Sequence, residues 1–175
     1  MASLTPHSAR LAMVALLALG LLPSLGCDDA EQLRALDLAE LPERFACEDV
    51  TVVAASLDGS EALLIGVQDG LALAAHESGA VVEATYDLPD PRLTVRWVAG
   101  SNVYAGQCGR DSGEEWRLDD RRDAVSGHIA IRVTPEADGS LSVSAELDDV
   151  LLAPADSSGP LFGLEATRLD GLPLQ

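Results

Sequence analysis

From Cys47 onward, turn signals cut this chain roughly every eight to twelve residues, and between the cuts apolar residues alternate with polar ones. This pattern constrains the fold more than any other feature. Segments of that length suit strands better than helices, and a period of two places the apolar side chains on one face of a sheet. Asp58-Gly59, Asp69-Gly70, Ser78-Gly79 and Asp138-Gly139 mark turns, and Pro89 and Pro91 break the chain. The alternation predicts strands over 50–56, 61–67, 71–76, 80–86, 93–97, 103–105, 114–118, 129–133, 141–147 and 161–169. The clearest is the hairpin in which Ile129, Ile131 and Val133 return through Asp138-Gly139 to Leu141, Val143, Ala145 and Leu147. An all-β fold follows, expected as a single antiparallel β-sandwich, with a β-barrel as the alternative.

Upstream of this region the composition changes twice. Residues 28–40 have helical composition, with acids in the first turn and Leu33 and Leu36 on one face, and Pro42 closes the stretch. They are expected to form a short N-terminal helix or a tether. Before them, Arg10 precedes an apolar run over 11–22. Twelve residues rise only about 18 Å as a helix, well short of a hydrocarbon core of about 30 Å. A cleaved export signal fits that length better than a membrane span.

The run ends in Leu22-Pro-Ser-Leu-Gly-Cys27. Here the chain resembles a bacterial prolipoprotein, in which a small residue precedes a cysteine whose thiol receives a diacylglycerol before the signal is cut away. Gly26 and Cys27 match those two positions, while Ser24 stands where that family usually has leucine. Ser24 and Gly26 also satisfy the small-x-small rule of ordinary signal peptidase, and both enzymes would cut the same bond. The resemblance covers only the leader and the anchor. It implies a leader over 1–26, a lipid anchor and tether over 27–44, and a β-domain over 45–175, held by its lipid in the bacterial cell envelope.

Cysteine parity agrees. Of the three cysteines, assigning Cys27 to lipid leaves Cys47 and Cys108, which an exported protein can join as a disulfide. The loop so closed contributes about 4 kcal/mol in the chain-entropy model. Two free thiols are the alternative. The leader holds one of the 11 basic residues, Arg10, and none of the 29 acids, so the mature chain carries a net charge of −19. There is no lysine. Nucleic acid is a poor partner for such a surface. Anionic lipid is another, so the covalent lipid would have to make the membrane contact.

No catalytic, cofactor-binding or metal set emerges. Ala74-Ala75-His76 and Cys108-Gly-Arg-Asp-Ser112-Gly113 are similar to fragments of chymotrypsin-like serine proteases. However, Arg110 and Glu114 depart from the nucleophile loop, and acids beside an oxyanion would oppose its charge. His76 and His128 are expected at the surface, too few to hold zinc. Asp119, Asp120 and Asp123, with Asp148 and Asp149, offer oxygens to calcium, but without the spaced loop of an EF-hand they read as solvated turns. Among Tyr86, Trp97, Tyr104 and Trp116, Trp97 shares the apolar face of its strand and belongs in the core. Trp116, between acids and Arg117, is the better candidate for an exposed contact.

The expectation is a lipid-anchored envelope protein with a structural or binding β-domain. An envelope hydrolase using Ser112 or an acid pair, and an acidic partner or inhibitor of a basic envelope protein, are the alternatives.

Overall fold

A computed structural model describes residues 33–47, 49–103, 107–109, 115–156 and 159–175. Ten strands join into one hydrogen-bonded sheet. They are β1 (Arg34–Ala35), β2 (Glu43–Cys47), β3 (Thr51–Ala55), β4 (Glu61–Val67), β5 (Val82–Asp87), β6 (Leu93–Ser101), β7 (Arg117–Pro135), β8 (Leu141–Pro154), β9 (Phe162–Leu164) and β10 (Thr167–Pro173). The order is β1-β9-β8-β7-β6-β4-β3-β2, with β5 added to the second half of β7 and β10 to the first half of β8. All strand pairs are antiparallel except β1 with β9.

The sheet forks because its longest hairpin is bent. Register shifts at Ala124, Ser126 and His128 interrupt the β7–β8 ladder, and such bulges kink a strand. Gly127 sits at the bend with φ +121°, and a Cβ there would lie 2.6 Å from the Val150 backbone. Opposite it, Asp149 adopts φ 51°. Beyond the bend β7 exchanges β6 for β5, and β8 exchanges β9 for β10. The two branches fold back over a shared core. Leu63 and Ile65 of β4, Trp97 of β6, Ile129 and Ile131 of β7, Leu147 of β8 and Leu169 of β10 lie in one buried cluster. Burying each such side chain contributes about 1.5–3 kcal/mol.

The all-β class therefore holds, and one folded sheet supplies the layers that separate sheets supply in a sandwich. The barrel alternative does not. Near closure, Leu174, just past the end of β10, makes an isolated bridge with Ala46 of β2, while β1 and β5 remain edge strands among the described residues.

Local expectations fail in several places. Strand β2 is not among the expected strands, and Val103 lies in a turn, while residues 104, 105 and 114 lie outside the described residues. Arg117 and Leu118 open β7 rather than close a strand of their own, and three further segments differ. Residues 71–76 form part of a helix, α1 (Leu71–Ser78), rather than a strand. The segment Leu-Ala-Leu-Ala-Ala holds only strong helix formers and no β-branched residue. Gly79, left-handed at φ 60°, stops it by donating its N–H to the Ala75 carbonyl. Leu71, Ala72 and Ala75 are buried while Leu73 faces solvent, so the apparent alternation of Leu71 and Leu73 carried no strand information.

The described part of 28–40 is not an α-helix. It gives β1 and a single 3-10 turn, Leu38–Glu40, capped by the Asp37 carboxylate accepting from the Ala39 N–H. Leu38 and Leu41 enter the core. Residues 161–169, expected as one strand, divide into β9 and the start of β10, because the two halves of bent β8 need different partners.

Candidate functional site

The outer face of β2, β3, β4 and β6 carries a second, smaller apolar cluster. It comprises Phe45, Val53, Ala55, Ala62, Val98 and Val103. Such a face would be a liability if left open. Val103 belongs to it and Cys108 packs against it, and a disulfide joins Cys47, at the buried end of β2, to Cys108, in the 3-10 turn Gln107–Gly109. The bridge spans 61 residues of sequence with Cα atoms 5.3 Å apart.

Beside these residues lies a groove of about 180 Å³. Leu64 and Val98 form its apolar base, Val103 and Gln107 one side, and Arg96, Trp116 and Leu118 the other. Trp116 is 58% exposed and Leu118 40%. Alternation accounts for the placement of Arg96 and Val98. With Val95 and Trp97 turned into the main core, their neighbours must face outward.

A charge network borders the groove. The Arg96 Nε donates to Asp123 Oδ1 at 2.8 Å, and Arg121 approaches the other carboxylate oxygen at 2.9 Å. Burial pushes the Asp123 carboxyl up, but the bonds from Arg96 and Arg121 outweigh it and hold the group below its ordinary range. Arg117 pairs with Asp119 at 2.9 Å. Asp119, Asp120 and Asp123 thus lie on strand β7, tied to arginines, rather than in the solvated turn expected from sequence.

On the opposite face of β7, Arg122 is buried at 6% exposure. Its guanidinium stacks 3.9 Å from the centre of the Phe162 ring and donates to the Asp120 carboxylate and the Pro160 carbonyl. Its Nε and the neighbouring Trp97 Nε1 are buried without a hydrogen-bond partner among the described residues. Arg34 stands over Phe162 at 5.1 Å. Arg122 thereby ties β7 to the chain entering β9.

The other candidates separate. Cys27, Tyr104 and Ser112 lie outside the described residues. His76 is exposed on α1, and His128 is exposed with Nδ1 2.6 Å from Asp87 Oδ1. Trp97 and Tyr86 are core residues, and Tyr86 donates its hydroxyl to Asp69 at 2.9 Å. Burial, reinforced by that carboxylate, pushes the Tyr86 hydroxyl up to about 12. Among the described residues no three His, Cys, Asp or Glu side chains converge as a metal site. Nor, among them, is any helix long and apolar enough to cross a membrane.

Trp116 was legible as exposed from its charged neighbours. Arg96 was legible as outward-facing from alternation; its meeting with Leu118 was not, because a register shift between Ala99 and Gly100 sets how β6 meets β7. Comparison with known protein families, curated proteins and solved structures finds no match to this chain.

Proposed function

We propose that this chain is a lipid-anchored protein of the bacterial cell envelope whose β-domain is a binding module. The observation that carries the reading is the Cys47–Cys108 bridge. A disulfide belongs to an oxidising compartment, and it leaves Cys27 as the remaining cysteine, immediately after Gly26 at the end of an export-type leader.

The short connection supports the reading too. Arg34 of β1 follows Cys27 by seven residues, a reach of at most about 25 Å. An anchored body is then confined close to its membrane, and the acidic surface keeps it from lying flat on anionic headgroups. The binding role rests on the groove beside Trp116, a concave apolar site edged by arginines.

Membrane fractionation of the wild type and a Cys27→Ser variant tests the anchor. The wild type should sediment with membranes and need detergent for release, while most of the variant should be soluble. Equal partitioning of the two would contradict it.

A further inference from the structure

We infer that β5, an edge strand of the sheet, receives an extended segment of a partner protein as a further antiparallel strand, and that basic residues at alternate positions of that segment lie beside Glu83 and Asp87. This surface is separate from the groove beside Trp116 and does not depend on it.

Of the two edge strands among the described residues, β1 offers two residues and β5 six. The Leu88 N–H donates to the Gly127 carbonyl, which fixes the phase of the β5–β7 ladder. Val82, Ala84 and Tyr86 share that phase and turn their backbone groups toward β7. Glu83, Thr85 and Asp87 turn theirs away. Among the described residues β5 pairs with no other strand, and no hydrogen bond reaches those three backbones. A row of unpaired N–H and C=O groups is a template for a further strand. The side chains of Glu83, Thr85 and Asp87 are exposed, while Val82 and Ala84 are half-buried at the margin of the main core. An added strand alternates in the same way, with polar residues beside the first set and apolar ones beside the second.

Charge selects the partner. Each guanidinium near this strand already has a carboxylate: Arg132 has Glu83, Arg92 has Asp69 and Asp90, and Arg168 has Asp170. His128 sits against Asp87. Glu77 of α1, and Glu146 and Asp148 of β8, have no ion pair among the described residues. The local balance is therefore negative, on a chain without lysine. Beside β5, above the small side chain of Ala130, lies a notch of about 210 Å³ walled by Glu83, Thr85, Arg132 and Glu146. A long basic side chain opposite Thr85 extends over that notch toward the unpaired Glu146 carboxylate. A second copy of this chain fits poorly. Two β5 strands paired about Thr85 would set Glu83 of one copy against Asp87 of the other, acid against acid at both ends.

The full mature chain, in detergent micelles, is titrated with the peptide acetyl-Lys-Val-Lys-Val-Lys-amide and followed by amide hydrogen exchange and NMR. In the free protein the Ala84 and Tyr86 amides should exchange slowly and those of Glu83, Thr85 and Asp87 fast. The peptide should slow those three and leave the indole signals of Trp97, in the core, and Trp116, in the groove, in place. Glutamine in place of either terminal lysine should weaken binding about threefold. Methylation of the central lysine's backbone nitrogen removes an N–H aimed at β5 and should abolish binding; methylation of the valine nitrogens, which face away, should spare most of it. Thr85→Pro should abolish binding with the Trp97 signal unmoved, since the lost N–H is not part of the β7 ladder. If that variant disturbs Trp97, the two methylated peptides decide alone. Unchanged exchange at Thr85, or equal binding of the two methylated peptides, would overturn the inference. So would a Trp116 shift without protection of Thr85, which would place the peptide in the groove. Thr85 protection in the free protein that disappears on dilution would assign the edge to a second copy and overturn it too.

Discussion

The two apolar clusters of this domain are sealed by different means. The main cluster lies between the branches of the folded sheet and draws on β4, β6, β7, β8 and β10 along their lengths. Its cover is the sheet itself, with α1 and the 3-10 turn Leu38–Glu40. The smaller cluster sits on the outer face of β2, β3, β4 and β6, with Val103 in it and Cys108 packed against it, held there by one covalent bond. Burial maintains the first, while the second depends on a cross-link. Trp116 stays exposed beside the second.

The largest expected effect comes from removing the cross-link. Replacing Cys47 and Cys108 together by alanine should lower unfolding stability by about 4 kcal/mol in denaturant titration. It should also raise binding of an apolar dye, because residue 108 is no longer held against the smaller cluster. Loss of stability without dye binding would mean that the 3-10 turn Gln107–Gly109 stays in place without its bond.

Side-chain truncation sharpens the contrast. Leu63→Ala in the main cluster should cost about 3 kcal/mol whether or not the disulfide is present. Val53→Ala in the smaller cluster should cost about 1.5 kcal/mol in the oxidised protein and clearly less once the bridge is removed. Equal costs in both backgrounds would show that the smaller cluster stands without its clamp.

These clusters were unequally legible in the sequence. The β7–β8 hairpin could be read from Asp138-Gly139 and strict alternation, and β4 has the expected limits, because both halves of the signal are local. The fork was not legible. It depends on bulges at residues 124–128 that matter only when β8 lies opposite. The switch from strand to helix at Leu71 went the other way, since two leucines at spacing two outweighed an alanine-rich run in the reading but not in the fold. At the site, Cys47, Cys108 and Trp116 were visible as residue types in context. Arg96, Leu118 and Asp123 became a group only through cross-strand register.

The smallest effect concerns a turn that each branch builds in the same way. Asp58 accepts from the N–H and hydroxyl of Ser60, and Asp138 does the same with Ser140. The Ser60 hydroxyl, helped by its N–H and by Ser56, brings the Asp58 carboxyl down from its ordinary 3.8 to about 2. A lowered folded value means that the ionised form favours the native turn. That contribution is complete above the ordinary carboxyl range and is lost as pH falls through about 2. Carboxyl NMR titration should give a midpoint near 2 for Asp58, returning toward 3.8 in Ser60→Ala. An unchanged midpoint in the variant would assign the shift to something other than the turn. Asp138 should also titrate below the ordinary value, through Ser140.

The most direct test of an anchored, disulfide-clamped domain is the intact mass of the mature protein, measured after alkylation without reductant. The account predicts a chain that begins at Cys27, carries a diacylglyceryl group there and takes up no alkylating agent. A Cys27 without lipid, or alkylation at Cys47 and Cys108, would contradict it.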